Sequence, residues 1–563
     1  MADSLRESAV GQLLRLVNRQ WLPYPDERPE FQLPDYDTPI DQEKPADHIS
    51  SIGPDHQPKR RSEGEEQDVE AFQLAKTATA ERTVSRTLTP IRTSDGIVLV
   101  DWYTLDDPEN PHNWSSPKKL LVSFEICMYS FAVYFGSSVY TSSIDGIIER
   151  SGVGVVTASL GFALYVLAYG IGPMLWSPLS EIPSIGRNSI YIATFSIYVL
   201  LCIPEALVDN FAGLMVLRFL LGFFGSPCLA TGAATFQDMY AMIKMPYLLA
   251  FWAGAVTLGP ALAPVVAGFS VVAKSWHWFA WEMLWLSGPI WLLMLFLLPE
   301  TSAPNILLRR ARRLRYLTSK AQLKSQSEID QAHMSAREVA FDALIKPWQI
   351  NALDPAVLFS TVYTALVYGI FNSFFESFPL VYPIIYDFNL GESNSVFLSV
   401  IVALMIAMPT YCFYYYYWVE PKVAKHGFGP PEQRLIPALF ACFLVPVGLF
   451  IFAWTTRSSV HWIVSIIGVL LDMLGTYAIM QCIFLYLPFT YPQFAASLFA
   501  ANDFARSSVA CGCILFAHPM FVSIGVPGGI SLLGGLTILC AGGLYILYFF
   551  GANLRARSKF AAK

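Results

Sequence analysis

Among the ionisable side chains inside apolar runs of this sequence, seven are read as candidates: Glu125, Arg218, Glu282, Glu376, Asp472, Asp503 and Arg506. A charge at the centre of a membrane helix costs roughly 2.5–3.5 kcal/mol on insertion scales, so each is a functional candidate. Arg218 stands out as the only basic residue in the first half of these runs away from their ends. A buried guanidinium must find carboxylates, carbonyls or water, and Glu125 and Glu282 are the acids that the first half offers. A carboxylate beside a fixed positive charge can be tuned to bind and release a proton as its surroundings change. A static ion pair that orients helices would use the same residues. Asp503 and Arg506 sit three apart on one helical face, the spacing of a local ion pair. Glu282 lies near the end of its run, where snorkelling to the interface would account for it.

The rings suggest a second kind of chemistry. The chain has 40 Phe, 27 Tyr and 14 Trp, and the segments FNSFFESFP (371–379) and YCFYYYYW (411–418) concentrate them. An acid among rings suits a cavity for bulky, planar, lipophilic ligands. Phe374, Phe375, Glu376, Tyr368 and Asp472 are the lining candidates. Tyr414 to Tyr417 fit an interface belt better. The nine cysteines fall in apolar runs, where they act as small hydrophobes. Cys511-Gly-Cys513 lacks a His or acidic partner at ligand spacing, so neither a metal site nor a disulfide framework is expected. There is no G-x-x-x-x-G-K-[ST] loop for phosphates and no H-E-x-x-H. Neither an enzyme nor a cofactor is expected, and no ATP-driven pump.

Membrane helices must position these groups. The chain has 563 residues, 54% hydrophobic and 14% charged, with mean hydropathy +0.45 and net charge -6. The apolar excess comes in blocks of about 20 residues, enough to cross a hydrocarbon core of roughly 30 Å. Twelve runs are expected near 118–141, 155–176, 188–208, 212–235, 247–271, 279–298, 356–380, 394–419, 434–454, 462–486, 498–520 and 529–551. The expected fold is an all-α polytopic membrane protein with two six-helix halves, 118–298 and 356–551, joined by a loop over 299–355. Residues 1–117 and 552–563 form tails. The first tail is polar and Pro-rich, and reads as mostly disordered. Its start is an exception: Val10, Leu13, Leu14, Val17 and Trp21 recur at helical spacing, as in a short helix on a membrane surface.

Loop charge sets the orientation. Odd-numbered gaps carry Arg150, Lys274 and Arg457, while even-numbered gaps carry Arg187, Lys244, Lys422, Lys425, Arg434 and nine more from Arg309 to Lys346. That bias places both termini in the cytoplasm. The central ILLRRARRLRYL reads as a basic interfacial helix along the inner leaflet. The net negative charge, with basic residues beside spans, argues against nucleic acid as a partner.

One run contains GAVTLGPALAPVVAG (254–268), with two prolines and three glycines. Ala255, Gly259, Ala263 and Ala267 form a small-residue line that lets another helix approach closely. Pro260, Pro264 and Gly268 form the next line, and each proline frees the carbonyl four residues back.

Several motifs together resemble the major facilitator superfamily, and within it the fungal twelve-span drug:proton antiporters of the benomyl, methotrexate and azole-resistance subgroup. They are DDPENPHNW (106–114), GPMLWSPLSEIPSIGRNSIY (172–191), LMVLRFLLGFFGSP (214–227), LPETSAPNILLRRARRLR (298–315), ALVYGIFNSFFESFPLVY (365–382) and YPQFAASLFAANDFARSSVA (491–510). The resemblance implies a major facilitator fold and export of lipophilic compounds in exchange for protons, with no cofactor beyond the gradient. It implies proton coupling at Arg218, for which Glu125, an acid of the same half, is the partner candidate that the residues themselves offer. It places Gly172, Glu181, Gly186 and Arg187 in a gate loop, with Gly172 and Gly186 at its turns. It makes Gly254, Gly259, Pro260, Pro264 and Gly268 the antiporter motif of span five. A plasma-membrane monomer is expected. The sequence departs from the pattern at Trp276-His277-Trp278, where an arginine is usual. Two rivals remain: an exporter dedicated to one endogenous metabolite or toxin, and a non-transporting membrane sensor.

Overall fold

The structure is a computed structural model that describes residues 2–28, 96–331, 354–490 and 495–556. Among them, twelve helices are long and apolar enough to cross a membrane. Spans 1 to 6 are Ser116–Ser151, Val155–Glu181, Arg187–Leu207, Phe211–Met239, Met242–Ala273 and Trp278–Leu297. Spans 7 to 12 are Val357–Tyr386, Leu390–His426, Pro431–Thr455, Ile463–Tyr486, Leu498–Ile524 and Val526–Asn553. Each expected run became a helix, the element that satisfies its own backbone in lipid.

The helices are irregular where the sequence gives a reason. Span 4 is built from Phe211–Gly225 and Pro227–Met239, with the break at Ser226 before a proline. Span 1 tightens to a 3-10 turn over Val139–Ser143. Span 8 passes through a π-helical turn at Tyr415–Val419, within the tyrosine run. Span 5 stays helical from Met245 to Ala273 through both prolines.

Small residues set the closest approaches. A Cβ on Gly222 would strike the carbonyl oxygen of Tyr165, so span 4 lies directly on span 2. In the second half, a Cβ on Gly468 would meet the Gly448 oxygen at 2.7 Å, which locks span 10 onto span 9. Between the halves, span 2 packs on span 11 and span 5 on span 8.

The two ends of the first tail are folded, the start as the helix expected there and 96–114 beyond what was expected; residues 29–95 lie outside the described residues. Helices Ala2–Glu7 and Ala9–Val17 pack with 96–114 and the central helix Ala303–Thr318 into a collar. Val98–Leu99 pairs in parallel with Leu323–Lys324, over a small core of Val98, Val100, Ala311, Leu314 and Leu323. The central helix forms as expected, but its basic residues turn to protein acids as well as to the surface. Arg310 meets Asp107 at 2.7 Å and Glu109 at 3.2 Å, and Arg313 meets Asp26 at 3.0 Å and Glu109 at 2.9 Å. Burial raises the Asp107 carboxyl pKa, but the Arg310 guanidinium and the N–H groups of Tyr103 and Glu109 outweigh it and hold it below the ordinary range. Glu27 is likewise held low: burial opposes, and Arg15 with the Tyr24 N–H prevails. The rest of the central loop, 332–353, and the last tail residues, 557–563, lie outside the described residues.

Candidate functional site

A cavity of about 360 Å³ lies between the two halves, toward the end opposite the termini. Spans 1, 2 and 5 line it from one half and spans 7, 8 and 11 from the other. Tyr368, Phe371, Asn372, Phe375, Glu376 and Phe378 form its span 7 wall, and Pro260 and Pro264 face it from span 5. Of the expected lining residues, Tyr368, Phe375 and Glu376 are therefore in place. Phe374 is not: it is fully buried among Phe375, Phe378 and Phe452, because helical rotation turns it into the core of the second half. Asp472 is not either. It lies on the span 10 face whose backbone meets Gly448 of span 9.

The floor of the cavity joins the halves. Tyr169 of span 2 and Tyr368 of span 7 share a hydrogen bond of 2.7 Å. Below them, Asp503 and Arg506 form the expected ion pair on span 11. The Arg506 guanidinium also donates to the Tyr134 hydroxyl of span 1 at 3.0 Å and stacks over the Tyr368 ring at 4.6 Å. One cation thus contacts both halves. Nothing in the i, i+3 pattern revealed this, because Tyr134 is 372 residues away in the chain.

Arg218 is fully buried behind the cavity wall. Its partner is Glu205 of span 3, at 3.3 Å, and neither Glu125 nor Glu282. Three backbone carbonyls complete the cage: Gly136 at 3.0 Å, Ser137 at 3.0 Å and Gly161 at 3.1 Å. The Tyr165 and Tyr140 rings lie over the guanidinium at 4.4 and 4.8 Å. Glu125 stands apart: it is eleven residues before Gly136 on the same helix, roughly 17 Å along the axis at 1.5 Å per residue. Its two buried oxygens have no hydrogen-bond partner among the described residues. Glu205 escaped the reading because it falls three residues from the expected end of its run.

The span 5 stripe sorts as its spacing implied. A Cβ on Gly259 would meet the Phe131 oxygen and the Phe135 nitrogen at 2.8 Å, so its line presses on the span 1 backbone. Ala263 and Ala267 are fully buried along that line. Gly268 is close to Asn394 of span 8, at 2.6 Å by the same measure. Gly254 has more room, 3.4 Å from the Met408 sulfur, so close approach does not demand a glycine there.

At the end of the termini the chain is latched. Arg187 pairs with Asp238 at 2.5 Å, and its backbone N–H donates to Glu300 at 3.0 Å. Gly186, with φ of 77°, makes the turn that permits this. Glu181 is exposed at the last residue of span 2, and its charge acts on Arg187. Gly172 is not at a turn. It lies inside span 2, facing Phe223 and Ser226 of span 4. Across the halves, Lys244 and Tyr247 both reach Glu420 at 2.9 Å, and the Tyr477 hydroxyl donates to the Ala250 carbonyl at 2.8 Å. None of these cross-half partners was readable beforehand. On the opposite side, His277 lies 3.5 Å from Asp209.

The family model described as Major Facilitator Superfamily matches residues 126–512. The chain is 47% identical over 474 residues to "MFS-type transporter pyvG" of Aspergillus violaceofuscus, covering 84% of this chain and 87% of that one. It is 37% identical to "Fluconazole resistance protein 1" of Saccharomyces cerevisiae, over 82% of this chain and 84% of that one. With "Cycloheximide resistance protein" of Candida maltosa it shares 32% identity over 100% of both chains. Among solved structures it is similar to the proton:xylose symporter XylE, with a TM-score of 0.53 and 12% identity over 78% of this chain and 96% of that one.

Proposed function

Since the chain belongs to the major facilitator superfamily, alongside fungal drug-resistance members, we propose that it is a proton-coupled exporter of lipophilic compounds working by alternating access. The observation that carries this reading is the cavity. It lies between two six-span halves, is lined by rings and two acids, Asp145 and Glu376, and has a floor whose bonds cross from half to half. The opposite end is closed by Lys244, Tyr247, Tyr477 and their partners. A cavity with a ring-rich span 7 wall and polar groups such as Ser142, Asn372 and Asn394 around it favours large, mainly apolar ligands that carry some polar atoms. Relatives named for fluconazole and cycloheximide resistance support efflux of such compounds.

In this reading the transported proton exchanges at buried carboxylates. Glu205 beside Arg218 is the coupling pair, and its second oxygen has no hydrogen-bond partner. Glu125 is a second buried acid on the path. The Gly259 line keeps spans 1 and 5 in contact so that protons do not leak past the exchange. The protein works as a plasma-membrane monomer with both termini in the cytoplasm, as the basic even-numbered loops favour.

The test is purified protein in liposomes loaded with a fluorescent lipophilic dye or an azole. Transport should rise several-fold under an imposed proton gradient, and equal rates with and without it would overturn the coupling. A second reading, export of one endogenous metabolite, draws on the relative at 47% identity, whose name specifies no drug. A susceptibility panel on deletion and overexpression strains separates the two: protection from many unrelated drugs favours the first, and from a single native compound the second.

A further inference from the structure

The helix Ala9–Val17 turns its polar side inward. Gly11 and Arg15 are buried, the Arg15 guanidinium holds Glu27 at 2.7 Å, and Gln12 donates to the Tyr24 hydroxyl at 2.9 Å. Its outward face carries Leu13, Leu16 and Val17, exposed by 60, 83 and 78%, followed by Trp21 at 60%. Leu13, Leu16 and Val17 fall on one helical face, and Trp21 follows in a short 3-10 turn. In water such an arrangement is unfavourable, because the apolar side faces solvent while the protein covers the polar one.

Three ties show what medium meets that face. Lys118, in the first turn of span 1, bonds Glu7 at 2.7 Å. Both tail helices pack on span 6, and the second also touches span 3. Span 6 itself exposes Leu292 and Phe296 in its last turns. The apolar face is thus continuous with the lipid-facing surface, at the depth where the chain enters the membrane. The helix has one basic residue, Arg15, turned inward, and Arg19 of the following turn is held over the Tyr316 ring at 4.5 Å. Recognition therefore rests on apolar insertion, with anionic headgroups contributing little.

We infer that Ala9–Val17 and Trp21 form a membrane anchor seated in the leaflet on the side of the termini. Through Tyr24 and Asp26, which hold Arg313, the anchor pins the central helix and the first half of the molecule to that surface.

The test uses the full chain in phosphatidylcholine nanodiscs, with a nitroxide at Leu16→Cys or Gln20→Cys and the signal of the unsubstituted chain subtracted. The label at position 16 should be more accessible to oxygen than to a water-soluble nickel chelate, and the label at 20 the reverse. Adding phosphatidylserine should change neither. Equal water access at both positions overturns the anchor. So does lipid contact that appears only with phosphatidylserine, which would mean headgroup binding, or dipolar broadening from a second copy. As a label-free check, Leu16→Asp with Val17→Asp should speed hydrogen exchange of amides 9–21 at least tenfold while span 6 stays protected. Unchanged exchange there also overturns it.

Discussion

Arg218 and Arg506, both buried within the spans, have the same kind of partner and opposite connections. Arg218 pairs with Glu205 and is caged by carbonyls of spans 1 and 2, so all of its polar partners belong to the first half. Arg506 pairs with Asp503 in the second half, and its remaining bond goes to Tyr134 in the first. In the proposed alternating access, the first pair would travel intact, whereas the second would exchange a partner. Burial alone therefore does not tell a scaffold or coupling pair from a lock; the ownership of the partners does.

The comparison predicts different failures. The largest effect is expected from Arg218→Ala, which leaves Glu205 buried and alone. Loss of one partner of a buried pair costs about 3–5 kcal/mol, so the melting temperature and folded yield should collapse. Adding Glu205→Gln to Arg218→Met should restore folding in a thermal-shift assay but leave proton-driven efflux at background; recovered efflux would reduce the pair to a scaffold. Next comes Arg506→Gln with Asp503→Asn. Efflux should fall at least tenfold with only a few degrees' change in melting, and a matching loss of stability would erase the distinction between the two pairs. Tyr169→Phe removes the 2.7 Å bond across the floor. A hydrogen bond is worth about 1 kcal/mol net, roughly a fivefold shift, and labelling of a cysteine placed in the closed end should accelerate by that factor.

The smallest effect is in the collar, a third charged cluster that lies outside the membrane. Asp107 and Glu27 are held below their ordinary values, so their contribution is complete above about pH 4–5, where the unfolded groups ionise, and fades as pH falls through their folded values. Hydrogen exchange of residues 96–114 should be flat from pH 8 to about 5, once corrected for intrinsic rate, and rise below about 4. A rise near neutral pH would point to another group.

Much of the fold could be read from periodicity and run length, since twelve long apolar runs leave few alternatives. The span 5 stripe was legible for the same reason: glycine and alanine at four-residue spacing say that something approaches, and only the structure names span 1. What escaped was pairing across the chain. Glu205 and Arg218 are on different spans, and Arg187 meets Asp238, which falls just past its expected run. Phe374 and Phe375 look equivalent in sequence, yet a rotation of about 100° per helical residue puts one in the core and the other in the cavity. The fold of 96–114 was hidden for a different reason: the partners of its acids lie some 200 residues later in the central helix.

The carbonyl cage has one more consequence, for how this region tolerates mutation. Main-chain oxygens are supplied by any residue, so the cage chemistry places no demand on side-chain identity at positions 136, 137 and 161. Space does. A Cβ on Gly136 would meet the Tyr165 hydroxyl at 2.8 Å, and one on Gly161 would run into the Tyr140 ring. A saturation scan would therefore find positions 136 and 161 closed to any side chain and the buried Ser137 open only to small ones, a pattern easily mistaken for three binding side chains, though all three grip the cation through main-chain atoms alone.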